Sequence, residues 1–259
     1  MKKLFAMVMS VILVMSLFAG CGGGSDSDLA YIQDRGKLIV GITDYAPMDY
    51  KDENGEWTGF DAEFARLVAE ELGVEVEFFL IADWSKKVFE LDSKNIDCIW
   101  NGMTINEELL SICSVSDPYV INAQVVVMKA DVVGNYADTD SLADLTFAVE
   151  NGSAGQAAAE AIGVKNIVAV QDQAAALMEV AAGTADACVI DITMAYAMTG
   201  EGTSYADLAV GLTLTSEEYG IGFRKGSDVT AKVNEIMAKF MEDGTLDALA
   251  EKYNLTLAK

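Results

Sequence analysis

Apolar and polar positions along the chain follow one rhythm, and it occurs twice. Ile96, Cys98, Ile99 and Trp100 form a mostly apolar run, the pattern of a strand covered on both faces. Asn101-Gly102-Met103-Thr104 is predicted to leave that strand as a loop at its carboxyl end, where open α/β sheets hold ligands. Asn106 then caps a short helix, with Glu107 and Glu108 in its electropositive first turn. Upstream, Lys37 to Gly41 reads as a strand followed by the loop Thr43 to Met48. Asn54-Gly55 marks a hairpin turn. Phe60, Phe64, Leu67, Val68 and Leu72 recur at helical spacing on one stripe. Val74 to Phe78 alternates as a second strand, and Asp83-Trp84 precedes a helix over Lys86 to Leu91.

The second series opens with a strand over Gln124 to Lys129. Leu145 to Val149 is predicted as a strand, Asn151-Gly152-Ser153-Ala154-Gly155 as its loop, and Gln156 to Ala161 as an alanine-rich helix. Ile167 to Val170 and Ala187 to Asp191 read as strands around a helix over Gln173 to Ala182. Tyr219 to Arg224 returns to the first series, and Val229 to Tyr253 is helical with a break at Asp243-Gly244-Thr245. Two such halves joined by extended crossovers leave a cleft, the natural place for a ligand, and hinge closure as the natural motion.

Composition narrows the function. The chain has 259 residues, 52% of them hydrophobic, enough for two small lobes or one large domain with a real core. A formal charge of −24 repels phosphate and speaks against nucleic-acid binding. No histidine is present, which removes the usual general base, the imidazole metal ligand and any Ser-His-Asp triad. Cys98, Cys113 and Cys188 lack a C-x-x-C spacing and read as free buried thiols rather than a zinc site; no metal or cofactor is expected.

The amino terminus reads as an address. Met1-Lys2-Lys3 is basic and Leu4 to Ala19 is apolar but short for a spanning helix. The stretch Leu17-Phe18-Ala19-Gly20-Cys21 resembles a bacterial lipobox, with Phe18 where leucine is usual. It implies cleavage after residue 20 and lipid on Cys21, followed by a flexible tether over 21–28.

Several pieces in order resemble the family 3 extracellular solute-binding proteins of amino-acid ABC importers. They are LIVGITDYAPMDYKDENGEWTGFDAEFARLVAEELGV, NIDCIWNGMTI, SDPY, QVVVMK, DACVID, YGIGFRKGS and MEDGTLDALAEKY, spanning about Gly36 to Tyr253. The resemblance implies an α/β, two-lobed, type II periplasmic-binding-protein-like fold with the ligand cleft between lobes. Lobe 1 is expected over 29–121 plus 222–259, lobe 2 over 125–216, with hinge crossovers at 122–124 and 217–221. It implies a monomer, lipid-anchored to the outer face of the cell membrane, that passes a polar amino acid or related amine to an ABC permease. It also implies aromatic ligand contacts from Tyr45 and Trp84, and hydrogen bonds from Asn101, Gly102 and Thr104. Ser153 matches the second-lobe loop whose backbone amides suit a carboxylate. Asp191 matches the partner of a ligand α-ammonium.

One position departs from the pattern. The resemblance implies a carboxylate-gripping arginine five residues after Thr104, and the sequence has Leu109 there. Three readings stay open: amino acids held by N–H groups near Thr104 and Ser153, a cation held by Tyr45, Trp84 and Asp191, or a degenerate relative with a sensory role. A dehydratase-type enzyme on the same fold is a rival, with Glu150 or Asp191 transferring the proton.

Overall fold

The computed structural model describes residues 27–258. The expected signal peptide and Cys21 lie outside the described residues. In chain order the first elements are α1 (Asp28–Arg35), β1 (Lys37–Ile42), β2 (Tyr50–Lys51), β3 (Trp57–Thr58), α2 (Phe60–Leu72) and β4 (Glu75–Leu80). A 3₁₀ turn over Trp84–Lys86 leads into α3 (Lys87–Asp92), then β5 (Cys98–Thr104), α4 (Glu107–Ile112), β6 (Cys113–Val115) and β7 (Val120–Asn122). The middle of the chain gives β8 (Gln124–Lys129), β9 (Thr146–Glu150), α5 (Ala154–Ala161), β10 (Asn166–Val170), α6 (Gln173–Ala182) and β11 (Ala187–Asp191). The last elements are α7 (Ile192–Met198), β12 (Leu208–Thr213), β13 (Glu217–Arg224), α8 (Val229–Glu242) and α9 (Thr245–Lys252).

Two sheets organise two lobes. The first runs β4-β1-β5-β13-β6, with β7 also paired to β13. Strands β4, β1 and β5 are parallel, and β13 is antiparallel to its neighbours. The second runs β10-β9-β11-β8-β12 with β8 antiparallel. Parallel strands need crossovers, which α2 supplies between β1 and β4, and α6 between β10 and β11. Phe60, Phe64, Ala65, Val68 and Leu72 of α2 are buried against the sheet, and Phe64 meets Trp100 edge-on at 4.8 Å.

The chain differs from its sequence pattern in three places. The tether expected to reach residue 28 ends earlier, because Ser27 caps α1 through the Ala30 N–H and Asp28 pairs with Arg224 at 2.9 Å. Asn101 to Thr104 is strand, not loop, since Met103 and Thr104 pair with Gly220 and Tyr219 of β13. The crossover expected over 217–221 lies inside β13, because Glu217, Glu218 and Tyr219 pair with Asn122, Ile121 and Val120. The chain passes between sheets through Ala123 alone on one side and residues 214–216 on the other. Cys98, Cys113 and Cys188 are free and buried.

Candidate functional site

A cavity of about 380 Å³ lies between the lobes. Of the residues singled out from sequence, Trp84, Asn101, Gly102, Thr104, Ser153 and Asp191 line it. Tyr45 does not: it is buried beside the cavity, where its hydroxyl meets those of Thr193 at 2.6 Å and Tyr219 at 2.5 Å. A buried phenol seeks such partners, and here they come from α7 and β13.

On the first lobe, Asp83 caps the turn that carries Trp84, accepting the Ser85 N–H at 3.0 Å. Asn101 is committed inward. Its amide oxygen accepts the Thr43 N–H at 2.8 Å and its amide nitrogen donates to the Thr43 hydroxyl at 2.7 Å. The Gly102 N–H donates to Asp61 at 2.6 Å, and the Thr104 hydroxyl donates to Glu217 at 2.7 Å. The donors expected to meet a solute are thus engaged within the lobe. Gly102 has φ +54°, and a Cβ there would lie 2.5 Å from the Tyr45 ring. Leu109 stands at the cavity wall, 5% exposed, and brings no charge.

On the second lobe, Ser153 caps α5 by accepting the Gln156 N–H at 3.1 Å. The residues at the start of this helix, Ser153 and Ala154, line the cavity. Asp191 ends β11 and is wrapped in side-chain amides. It accepts from Gln124 at 2.7 Å, from Asn122 and from Gln173, while its own N–H donates to Gln173 at 2.9 Å. Glu217 shares two of these amides, accepting from Asn122 and Gln124 at 2.7 Å each. Burial, then the charge of Glu217, pushes the Asp191 carboxyl up to about 7. Glu150, at the end of β9, is 3% exposed and its Oε1 has no hydrogen-bond partner. Burial, then Asp191, pushes its carboxyl well above the ordinary range.

Sequence reasoning missed the amide wrap and Lys87. Asn122 and Gln124 flank Ala123, far in sequence from Asp191, and no periodic signal links them. Lys87 follows Lys86 in a helix-start pattern that reads as solvated charge, yet its ammonium lies over the Trp84 ring, 4.9 Å from the centroid. It also donates to the Gly152 carbonyl at 3.1 Å, across the cleft. Among the described residues that line the cavity, three are acids, Glu108, Glu150 and Asp191, and Lys87 is the lone cation. Among the described residues, no helix is long and apolar enough to cross a membrane.

Relatives share this architecture. The chain is 29% identical over 248 residues to the L-cystine-binding protein TcyJ of Escherichia coli (strain K12), with 93% of this chain and 92% of the relative covered. It is 30% identical over 272 residues to the L-cystine-binding protein TcyA of Bacillus subtilis (strain 168), covering 98% and 97%. Among solved structures, a mutant of ArgBP from T. maritima superposes with a TM-score of 0.81 at 32% identity, covering 87% of this chain and 98% of that one. The ancestral amino acid-binding protein AncCDT-1, a precursor of cyclohexadienyl dehydratase, superposes with a TM-score of 0.80 at 35% identity, covering 88% and 99%. The fold is that of type II periplasmic binding proteins. The model of the bacterial extracellular solute-binding proteins, family 3, matches residues 38–256, and with two sheets flanking an acid-lined cleft the chain belongs to that family.

Proposed function

We propose that the chain captures a polar amino acid or a related amine between its lobes and delivers it, unchanged, to an ABC permease. The observation that carries this reading is the cavity itself. Its volume is within the range of small-ligand pockets, both lobes wall it, and its carboxylates outnumber its cations. Asp191 holds the solute's ammonium, since it is buried and no cation pairs with it among the described residues. Trp84 and the start of α5 at Ser153 complete the wall. Names of relatives that bind cystine or arginine support an amino-acid-type solute. The chain acts outside the cytoplasm as a monomer, held at the membrane by lipid on Cys21. Rotation at Ala123 and residues 214–216 closes the lobes.

A thermal-shift screen of amino acids, their amides and polyamines tests this reading, because a ligand that binds only the folded chain raises its melting temperature. Titration calorimetry on Asp191→Ala should then lose amine binding. Unchanged affinity would remove the role given to Asp191.

Glu150 favours a second reading, a dehydratase-type acid, because burial raises its pKa well above the ordinary range and so favours the form that can donate a proton. Turnover of prephenate by the wild type, abolished in Glu150→Gln, would establish it; no turnover would remove it.

A further inference from the structure

Leu109 brings no charge to the position where the resemblance implies a carboxylate-gripping arginine. Among the described residues that line the cavity, one is a cation. Lys87, the first residue of α3, donates to the carbonyls of Trp84 at 3.4 Å and Gly152 at 3.1 Å. An ammonium has three donors, so these two bonds leave one. Among the described residues Lys87 forms no ion pair, although Glu108 and Glu150 line the same space. Burial lowers its pKa, the mark of a charge drawn out of water, with Glu150 and Glu108 opposing. A half-buried charge without a counter-ion loses part of its hydration, and a bound carboxylate would relieve that cost.

Resting on the reading that a solute is held between the lobes, we infer that Lys87 takes the solute's carboxylate in place of a residue from α4. Its bond to the Gly152 carbonyl ties that event to closure, because Lys87 belongs to the first lobe and Gly152 to the second. Glu150, whose Oε1 has no hydrogen-bond partner, and Asp191 line the same cavity and meet the solute's ammonium. The site therefore reads a zwitterion. It prefers an α-amino acid to the amine left when the carboxylate is removed.

Calorimetric titrations with three matched pairs test this: L-arginine and agmatine, L-lysine and cadaverine, L-cystine and cystamine. The wild type should bind the amino acid of a pair more tightly than its amine. Lys87→Met should lose about tenfold or more in amino-acid affinity, as expected when one partner of a desolvated charge pair is removed, and should cost the matched amine clearly less, because the amine loses only the tie to Gly152. Lys87→Arg should retain the preference. Lys87→Gln, which can still donate to the Gly152 carbonyl, is the second variant should the methionine fail to fold, and should lose the preference likewise. Equal losses for both members of a pair, or no loss, would overturn Lys87 as the carboxylate partner and leave solute binding standing. A wild type that binds no member of any pair would overturn both.

Discussion

The Tyr45 and Thr193 hydroxyls lie 2.6 Å apart and join the two lobes beside the cavity. Tyr45 follows β1 of the first lobe, and Thr193 sits in the first turn of α7 in the second. Both residues are buried, so water does not compete for the bond.

Removing the Tyr45 hydroxyl should loosen that joint. Tyr45→Phe leaves the ring in place and lets Thr193 and Tyr219 keep their own bond at 3.0 Å. The expected cost is on the order of 1 kcal/mol. Urea denaturation measures it, and small-angle scattering of the apo protein should show a larger radius of gyration. An unchanged radius would mean that this bond does not hold the lobes together.

Asp191 gives a pH dependence with a definite sign. Its folded-state pKa, about 7, lies above the ordinary value of 3.8, so the folded chain binds the extra proton between the two. Stability from this group is greatest below about pH 4 and falls as pH rises toward 7. In Asp191→Asn that contribution is absent. The stability difference between variant and wild type should therefore move in the variant's favour across this window, by at most about 1.4 kcal/mol per pH unit. Denaturation midpoints for both proteins at pH 4, 5.5 and 7 would check it. A difference independent of pH would mean that Asp191 is ionised throughout.

Leu109→Arg should place a second cation at the cavity wall. Amino-acid affinity should rise by about tenfold relative to that of the decarboxylated amine, and the same substitution in Lys87→Met should restore the lost preference. Because Leu109 is 5% exposed, overpacking is the competing effect, and it would weaken both ligands alike. Parallel calorimetry of the two ligands separates these outcomes.

Gly152→Ala should hinder closure. Gly152 has φ +72°, and its added Cβ would lie 2.8 Å from the Cα of Ser85 on the other lobe. The variant should bind solute severalfold more weakly and scatter as a more open particle, with the two cores unaffected. Affinity equal to wild type would show that this contact yields without cost.

The stripe of α2 and the apolar run of β5 were legible in the sequence because burial on those elements follows their period. Segments held by distant partners were not. Helix α1 is short and polar, and its start is fixed by Asp28 meeting Arg224 from β13. Strand β12 contains Gly211 and pairs with β8 through an irregular register, which blurs any alternation. Helix α7 follows Asp191 directly, without a side-chain cap to announce it. In the site, the resemblance to the family led to Asp191 and Ser153, which stand at a strand end and a helix start. The inward turn of Asn101 toward Thr43, and the reach of Lys87 across the cleft, depend on how the lobes meet.

Asn122 and Gln124 stand on either side of Ala123, and both hand an amide proton to Asp191 and to Glu217. A single residue thus separates the two grips on these carboxylates, at a passage from one sheet to the other. Any twist of the backbone at Ala123 drags both grips with it, and any change in carboxylate charge pulls back on that same axle. Under the proposed capture of a solute, sensing and swivelling would share one short piece of chain, and no relay through either core would be needed to link them.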